Sequence, residues 1–434
     1  MAGPVQAMNV AGVISPPGDK SVTHRALILS GLSRARVSIR RPLTAHDARS
    51  TAKVLRQLGA RVSPMGRGRR VAVQGRPWKS PSAALDCGNA GTTARLIMGA
   101  IAGQEVTACL TGDASLRRRP MRRVTKPLVA MGARVEEESG DGLPLCITGG
   151  NLRSLAYRTP VASGQIKAAI LFAGVSGGVP VKMSEPARSR DHSERLLQFL
   201  GFAIDVEATT VELRGPPDRW PALRDFELEI PGDISSAAFL VGAAVLAEGG
   251  ELVVADVGVN PTRTGFLNVL ERMGGRVERT GERAAGNEPV ADLVVRPSTL
   301  RGVEVAAEEI PSLIDEIPLL AVLAARAEGE TCFRSVGELR VKESDRLGLI
   351  AQDLRAVGVN AEVQGEDLFV EGSEEPPRGR VETARDHRLA MAFAVLGTVP
   401  GAEIELSELG SAAVSYPNFQ ADLARAGNPC RVAS

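Results

Sequence analysis

Six copies of one short pattern (a leucine, two variable residues, an apolar or small residue, a glycine, then an apolar or small stretch) are spaced nearly evenly along this chain. The copies are Leu55–Gly59, Leu128–Gly132, Leu197–Gly201, Leu270–Gly274, Leu354–Gly358 and Leu423–Gly427, and their glycines lie 73, 69, 73, 84 and 69 residues apart. Each copy reads as the end of a helix. The leucine faces inward, and the glycine takes the left-handed backbone conformation that stops the helix without a Cβ clash. Ala-Arg-Val after Gly59 and after Gly132 predicts that a strand follows.

A second pattern precedes each glycine by about 40 residues. It is a polar, small-residue segment leading into an apolar, alanine-rich run such as Ala237–Ala247 or Pro318–Ala325. The six segments are Lys20–Arg25, Gly91–Arg95, Ser163–Lys167, Gly232–Ser236, Ser312–Glu316 and Thr383–Arg388. Hydroxyl side chains at such starts are expected to cap free backbone N–H groups. Two staggered sixfold signals predict six units of about 70 residues, each with two helices and several strands. A chain of 434 residues is too long for one ordinary core. Two domains of three units each are therefore expected, in the α/β class.

Composition narrows the function. The net charge of +1 argues against a general nucleic-acid binder, which carries a large basic excess. Of the 52 cationic side chains only seven are lysines, and Lys20, Lys167 and Lys342 all lie in segments that look chemical on other grounds. Five cysteines, odd in number and widely spaced with no CxxC pair, suit a reducing cytoplasm and offer no zinc signature. No apolar run approaches the roughly 18 residues of a membrane span, and Ala237–Ala247 reads as a buried helix. Met1–Val10 lacks the charged-then-apolar pattern of a signal peptide. There is no Walker loop, no strand-led GxGxxG and no EF-hand, so phosphoryl transfer with magnesium is not indicated.

The residues at the helix starts point to anions. Helix N-termini offer unpaired N–H donors and roughly half a positive charge, and several converging would favour phosphate or carboxylate. Lys20 and Arg25 bracket the first start, with Ser21 on the same face as Arg25. Arg95 follows Gly91-Thr92-Thr93, and Arg117-Arg118-Arg119-Pro120 sits in or just after a loop. On a helix, Lys342 and Arg346 would share a face with Glu343 three residues from Arg346. Asp315, opening an apolar helix, and Glu343, set among cations, are the candidate acid–base groups, with Lys20 as a candidate acid. Arg67–Arg70 reads as a hairpin turn without a role.

At these residues the chain resembles the enolpyruvyl transferases, and within them the members that act on shikimate 3-phosphate. The matching stretches are Pro17–Arg25, Gly88–Thr92, Arg119–Met121, Ser163–Gln165, Pro231–Ser236, Asn260–Gly265, Arg340–Leu347 and Asp386–Arg388, in family order over nearly the whole chain. The resemblance implies a two-domain inside-out α/β barrel of six βαβαββ repeats, three per domain. Residues 1–20 with 230–434 would form one domain and 21–229 the other, with the active site in the cleft between them. It implies transfer of the enolpyruvyl group of phosphoenolpyruvate to the 5-hydroxyl of shikimate 3-phosphate, on the route to chorismate and the aromatic amino acids, without cofactor or metal. Lys20, Gly91, Arg119, Gln165, Arg346 and Arg388 would meet phosphoenolpyruvate. Lys20, Ser21, Arg25, Ser163, Gly164, Gln165, Ser184, Arg190, Asp315 and Lys342 would meet shikimate 3-phosphate. Asp315, Glu343 and Lys20 would carry the proton transfers. The resemblance further implies a cytoplasmic monomer with no nucleic-acid or membrane partner.

Departures from the family pattern bear on affinity. Val414 stands where many members carry a phosphoenolpyruvate-binding lysine, and Glu338 replaces an asparagine near the shikimate phosphate. Arg190 stands where others carry a tyrosine at the shikimate ring. Gly91 lacks the methyl of strongly glyphosate-tolerant members, which implies inhibition by glyphosate. Two related activities remain as alternatives: enolpyruvyl transfer to UDP-N-acetylglucosamine and RNA 3′-phosphate cyclisation. Ala114, where the sugar-nucleotide enzymes carry a reactive cysteine, and Ser21 after Lys20 favour the shikimate reaction. A plain anion-binding module would gain nothing from Asp315 and Glu343.

Overall fold

The structure, a computed structural model, describes residues 9–66, 70–138, 140–215 and 225–427. Arg67–Arg69 of the expected hairpin turn and Cys430 lie outside them. All six repeat glycines adopt positive φ, between 82° at Gly201 and 117° at Gly132, where a Cβ would be strained. Five lead directly into strands: Arg61–Val62, Arg134–Glu137, Ile204–Glu207, Arg276–Ala285 and Ala361–Gln364. Gly427 is the last described residue.

The six polar segments precede six helices: α1 (Lys20–Leu32), α2 (Gly91–Ala102), α3 (Gly164–Gly177), α4 (Ile234–Val245), α5 (Ile317–Ala324) and α6 (His387–Leu396). Their caps differ from expectation. Only Ser163, before α3, caps with a hydroxyl; Asp19, Asp233 and Asp386 cap α1, α4 and α6 with carboxylates. A carboxylate accepts the same N–H bond and adds favourable charge at the positive end of the helix. The segment Ser312–Glu316 is a 3₁₀ turn, Ile310–Ser312, followed by a further turn, so Asp315 precedes α5 by two residues instead of opening it.

The described residues divide into two compact units. One runs from the first strand, Asn9–Ile14, to Pro17, and resumes over Gly232–Arg283 and from Pro289 onward. The other is Gly18–Pro231 with Ala284–Glu288, the tip of the hairpin between strands Arg276–Ala285 and Glu288–Arg296. The strand pairing explains this division. Asn9–Ile14 pairs in parallel with Gly249–Gly258, the strand after α4, and Phe226–Glu229 pairs in parallel with Val37–Arg40, the strand after α1. Each end strand thus completes the repeat that begins on the far side of the crossing.

Five four-stranded sheets share one order, a parallel pair extended by two further strands, as in Leu85–Asp86, Thr107–Thr111, Leu145–Thr148 and Arg134–Glu137. The sixth repeat contributes the parallel pair Arg378–Val381 and Glu403–Leu406. In each unit three apolar helices pack together inside, α1–α3 in one and α4–α6 in the other, and the buried faces of the sheets cover them. Every residue of α4 is buried, as its uncharged sequence requires. No helix among the described residues is long and apolar enough to cross a membrane.

Cys109 and Cys146 stand opposite each other on adjacent antiparallel strands and form a disulfide, while Cys87 and Cys332 are buried free thiols. This pair corrects the reading of the widely spaced cysteines as suited to a reducing compartment: 37 residues separate Cys109 from Cys146, and strand register brings them together.

Candidate active site

In the unit built around α1–α3, the three helix starts are joined by hydrogen bonds. Arg25, one turn into α1, is buried; its Nη1 donates to the Ser21 carbonyl at 3.0 Å and its Nη2 to the Gly164 carbonyl at 3.0 Å. Its Nε donates to Ser193 Oγ at 2.8 Å, so two of its five N–H groups remain for a ligand. Gln165 links α3 to α2: Arg95 donates to its Oε1 at 2.9 Å, and its Nε2 donates to Thr92 Oγ at 2.9 Å. Arg119 donates to Asn89 Oδ1 at 2.8 Å and is nine-tenths buried. The short helix Ala114–Arg118, capped by Asp113, presents it. A Cβ on Gly91 would stand 2.9 Å from Arg95 Nη1 and 3.2 Å from Arg119 Nη1, so glycine is what lets both guanidinium groups close on the start of α2. Lys20 is half-buried and pairs with Asp47 at 3.3 Å. Ser184 ends the strand Val181–Ser184, and Arg190 lies in the following loop against Gly164.

The unit built around α4–α6 repeats the plan with carboxylates among the cations. Asp315 lies 3.5 Å from Lys342, 3.6 Å from Arg346 and 3.8 Å from Arg388, whose Nη1 also donates to the Asp315 carbonyl at 3.0 Å. Arg346 is fully buried; its Nε donates to Asp386 at 2.7 Å and its Nη2 to Glu343 at 2.5 Å. Glu316 joins all three starts, accepting from Ser235 of α4 and lying 3.6 Å from Arg388 of α6. The expected helix through Lys342 and Arg346 is not formed. A 3₁₀ helix, Gly337–Val341, leads into a bend, and the α-helix Arg346–Ala356 begins at Arg346 itself. The bend turns Lys342 and Glu343 toward Asp315 and Arg346 without helical spacing. Glu338 and Val414 lie in 3₁₀ turns, the first exposed and the second half-buried.

Charge and burial tune these groups. For Arg346, burial works against the charged form, but Asp386, Glu343 and Asp315 outweigh it and hold the guanidinium above its ordinary value. Burial likewise pushes Asp386 up, yet Arg346 and its hydrogen bond keep this carboxyl below the usual range. Burial lowers Arg25 to about 10, opposed first by Glu194.

Burial, then Lys20 and Arg25, lower His24 to about 3. His24 lies behind the start of α1 and shares a bond of 2.7 Å with Thr51, which in turn bonds Thr93 of α2 at 2.7 Å. The unfolded chain binds this proton near pH 6.5 and the folded chain only near pH 3, so stability falls as pH drops through that window. His24→Asn removes the proton and is expected to flatten the loss between pH 6.5 and 4.5 by up to about 1.4 kcal/mol per pH unit. Urea unfolding at stepped pH reads this slope, and equal slopes in both proteins would overturn it.

The expected site residues thus gather in two sets, one in each unit. Sequence reasoning gave no partner role to Asp47, Asn89, Glu316 or Asp386. Asp386 had a usable signal, since aspartate occupies the cap at Asp19 and Asp233 as well. Asp47, on the helix His46–Gln57 and 27 residues from Lys20, had none.

Six repeats with linked helix starts, cations and embedded carboxylates define an enolpyruvyl transferase fold. The solved enolpyruvyl transferase NikO of Streptomyces tendae shares this fold at 19% identity, with a TM-score of 0.74 over 97% of this chain and 96% of that one. The family model for EPSP synthase (3-phosphoshikimate 1-carboxyvinyltransferase) matches residues 5–423. A 3-phosphoshikimate 1-carboxyvinyltransferase of Thermus thermophilus is 49% identical over 95% of this chain and 96% of its own. A solved EPSP synthase of Acinetobacter baumannii is 35% identical, with a TM-score of 0.86 over 98% of this chain and 97% of that one. The chain belongs to the EPSP synthase family.

Proposed function

We propose that this protein transfers the enolpyruvyl group of phosphoenolpyruvate to the 5-hydroxyl of shikimate 3-phosphate and releases phosphate. The observation that carries this reading is Asp315, a carboxylate held within 3.5–3.8 Å of the three cations Lys342, Arg346 and Arg388. Such cations keep a carboxylate ionised as a base and stabilise anionic substrates. Lys20, Gly91, Arg119, Gln165, Arg346 and Arg388 bind phosphoenolpyruvate. Lys20, Ser21, Arg25, Ser163, Gly164, Gln165, Ser184, Arg190, Asp315 and Lys342 bind shikimate 3-phosphate.

Asp315 takes the 5-hydroxyl proton as that oxygen adds to C2 of phosphoenolpyruvate. Glu343, with Lys20, supplies a proton to the methylene carbon, which becomes a methyl. The resulting ketal then loses the methyl proton and its phosphate, and the double bond re-forms. No redox change occurs. Fixed cations balance carboxylate and phosphate charge throughout, so the reaction proceeds without metal.

The test mixes protein with phosphoenolpyruvate and shikimate 3-phosphate in the presence of chelator and follows phosphate. A parallel reaction contains UDP-N-acetylglucosamine. Release only with shikimate 3-phosphate is expected; release only with the sugar nucleotide, or none, would overturn the assignment. Glyphosate is expected to inhibit, because Gly91 leaves the space a methyl would fill, and normal turnover at millimolar glyphosate would contradict this. We further propose that the protein works in the cytoplasm as a monomer without nucleic acid, which sedimentation at working concentration tests for the oligomeric state.

A further inference from the structure

A buried charge cluster lies behind the start of α3, in the unit built around α1–α3. Lys167, one turn into α3, has 2% of its side chain exposed. Its Nζ lies 2.8 Å from Glu185 Oε2 and 2.8 Å from Glu194 Oε1, and donates to the Ser189 carbonyl at 3.3 Å. Glu185 and the Ser189 carbonyl accept hydrogen bonds from the ammonium group, and Glu194 faces it as an ion-pair partner. The two carboxylates are as deeply buried as the lysine. A buried ion pair is weak support for stability, since well-packed apolar residues commonly do as well. Two carboxylates around one ammonium are a still poorer choice on stability alone. The cluster therefore calls for a role in what surrounds it.

Its outward bonds supply that role. Glu185 Oε1 accepts from the Ser163 backbone N–H at 3.1 Å and from Ser189 Oγ at 2.6 Å. Glu185 thus ties the cap of α3 to the loop that carries Arg190. The backbone and Cβ of Arg190 in turn stand 3.2 Å from where a Gly164 Cβ would lie. Glu194 stands beside Ser193, which receives Arg25 Nε at 2.8 Å, and it is the first charge opposing the cost of burying Arg25. Ser163, Gly164, Arg25 and Arg190 each adjoin this one cluster. On the reading above, these are shikimate 3-phosphate contacts.

We propose that Lys167, with Glu185 and Glu194, is a positioning group for shikimate 3-phosphate, fixing Ser163, Arg25 and Arg190 relative to one another before the substrate arrives. The proposal rests on the assignment of those residues to that substrate. A preorganised anion site binds more tightly because less ordering remains to be done on binding. Loosening it removes binding shared by ground and transition states, which raises KM and spares kcat.

The experiment is steady-state kinetics with each substrate varied in turn, on Lys167→Met, Lys167→Arg, Glu185→Gln and Arg25→Lys, with melting curves for each. Lys167→Met is expected to raise KM for shikimate 3-phosphate by about tenfold or more, with KM for phosphoenolpyruvate and kcat within about threefold. Lys167→Arg, which keeps the charge, is expected to recover part of the loss. If Lys167→Met fails to fold, Glu185→Gln, nearly isosteric, is expected to show the same selective rise. Equal rises in both KM values, a loss confined to kcat, or unchanged constants would overturn the proposal. Arg25→Lys separates the layers. If it raises KM for shikimate 3-phosphate while the Lys167 and Glu185 variants do not, positioning fails and the contacts stand. If it leaves that KM unchanged, the contact assignment fails.

Discussion

Asp315→Asn is expected to lower kcat by about two to four orders of magnitude, the range that removal of a positioned general base produces. Asparagine keeps the size and can keep one oxygen toward Lys342 and Arg346, but it cannot take a proton at neutral pH. The backbone carbonyl that receives Arg388 is untouched by the substitution. Loss of one negative charge among three cations leaves more positive potential for anions, so KM for phosphoenolpyruvate is expected to hold steady or fall. Steady-state kinetics with both substrates reads this split. A kcat within tenfold of the parent would assign the 5-hydroxyl proton to another group. A large rise in KM with kcat intact would make Asp315 a binding residue only.

Arg346→Met is expected to abolish activity and also to destabilise its unit by about 3–5 kcal/mol, the usual result of leaving one member of a buried ion pair alone. Asp386 is fully buried and takes two bonds from Arg346, and Glu343 takes a third. At about 2–4 °C per kcal/mol for a unit of this size, the melting temperature is expected to fall by roughly 6–20 °C. The double variant Arg346→Met with Asp386→Asn removes the stranded charge. It is expected to recover much of the melting temperature and none of the activity. Asp386 is held below the ordinary carboxylate range, so its contribution to stability is present above the unfolded pKa and is lost as pH falls through the folded one. The double variant is therefore expected to lose less stability under acid than the parent. Equal melting temperatures for parent and single variant would show that Asp386 finds another partner.

The repeat was legible because each of its signals is local. A glycine that closes an apolar helical run reports a helix end from its immediate neighbours, and all six repeat glycines have the left-handed backbone that reading requires. The segments ahead of the core helices were legible for the same reason, although carboxylate caps stand where hydroxyls were expected at three of them. The helix through Lys342 and Arg346 failed because spacing alone cannot distinguish a helix from a bend. Here Lys342 is drawn to Asp315 and Arg346 to Asp386, and Asp345 caps the helix that follows. The Cys109–Cys146 pair depends on the register of two strands joined across intervening structure, which no local pattern encodes.

By itself the sequence determined the repeat number, the ends of the core helices, their apolar faces and the residue types offered to substrate. All of these follow from interactions within a few residues along the chain. Tertiary structure alone decided which charges meet. Asp47 reaches Lys20 across 27 residues, Asp386 reaches Arg346 across 40, and Glu185 reaches Lys167 across 18. It also decided that Asn9–Ile14 completes the repeat of α4 and Phe226–Glu229 that of α1. These pairings are set by burial and by the need to compensate charge out of water. Those demands arise only once the helices and sheets have closed around them.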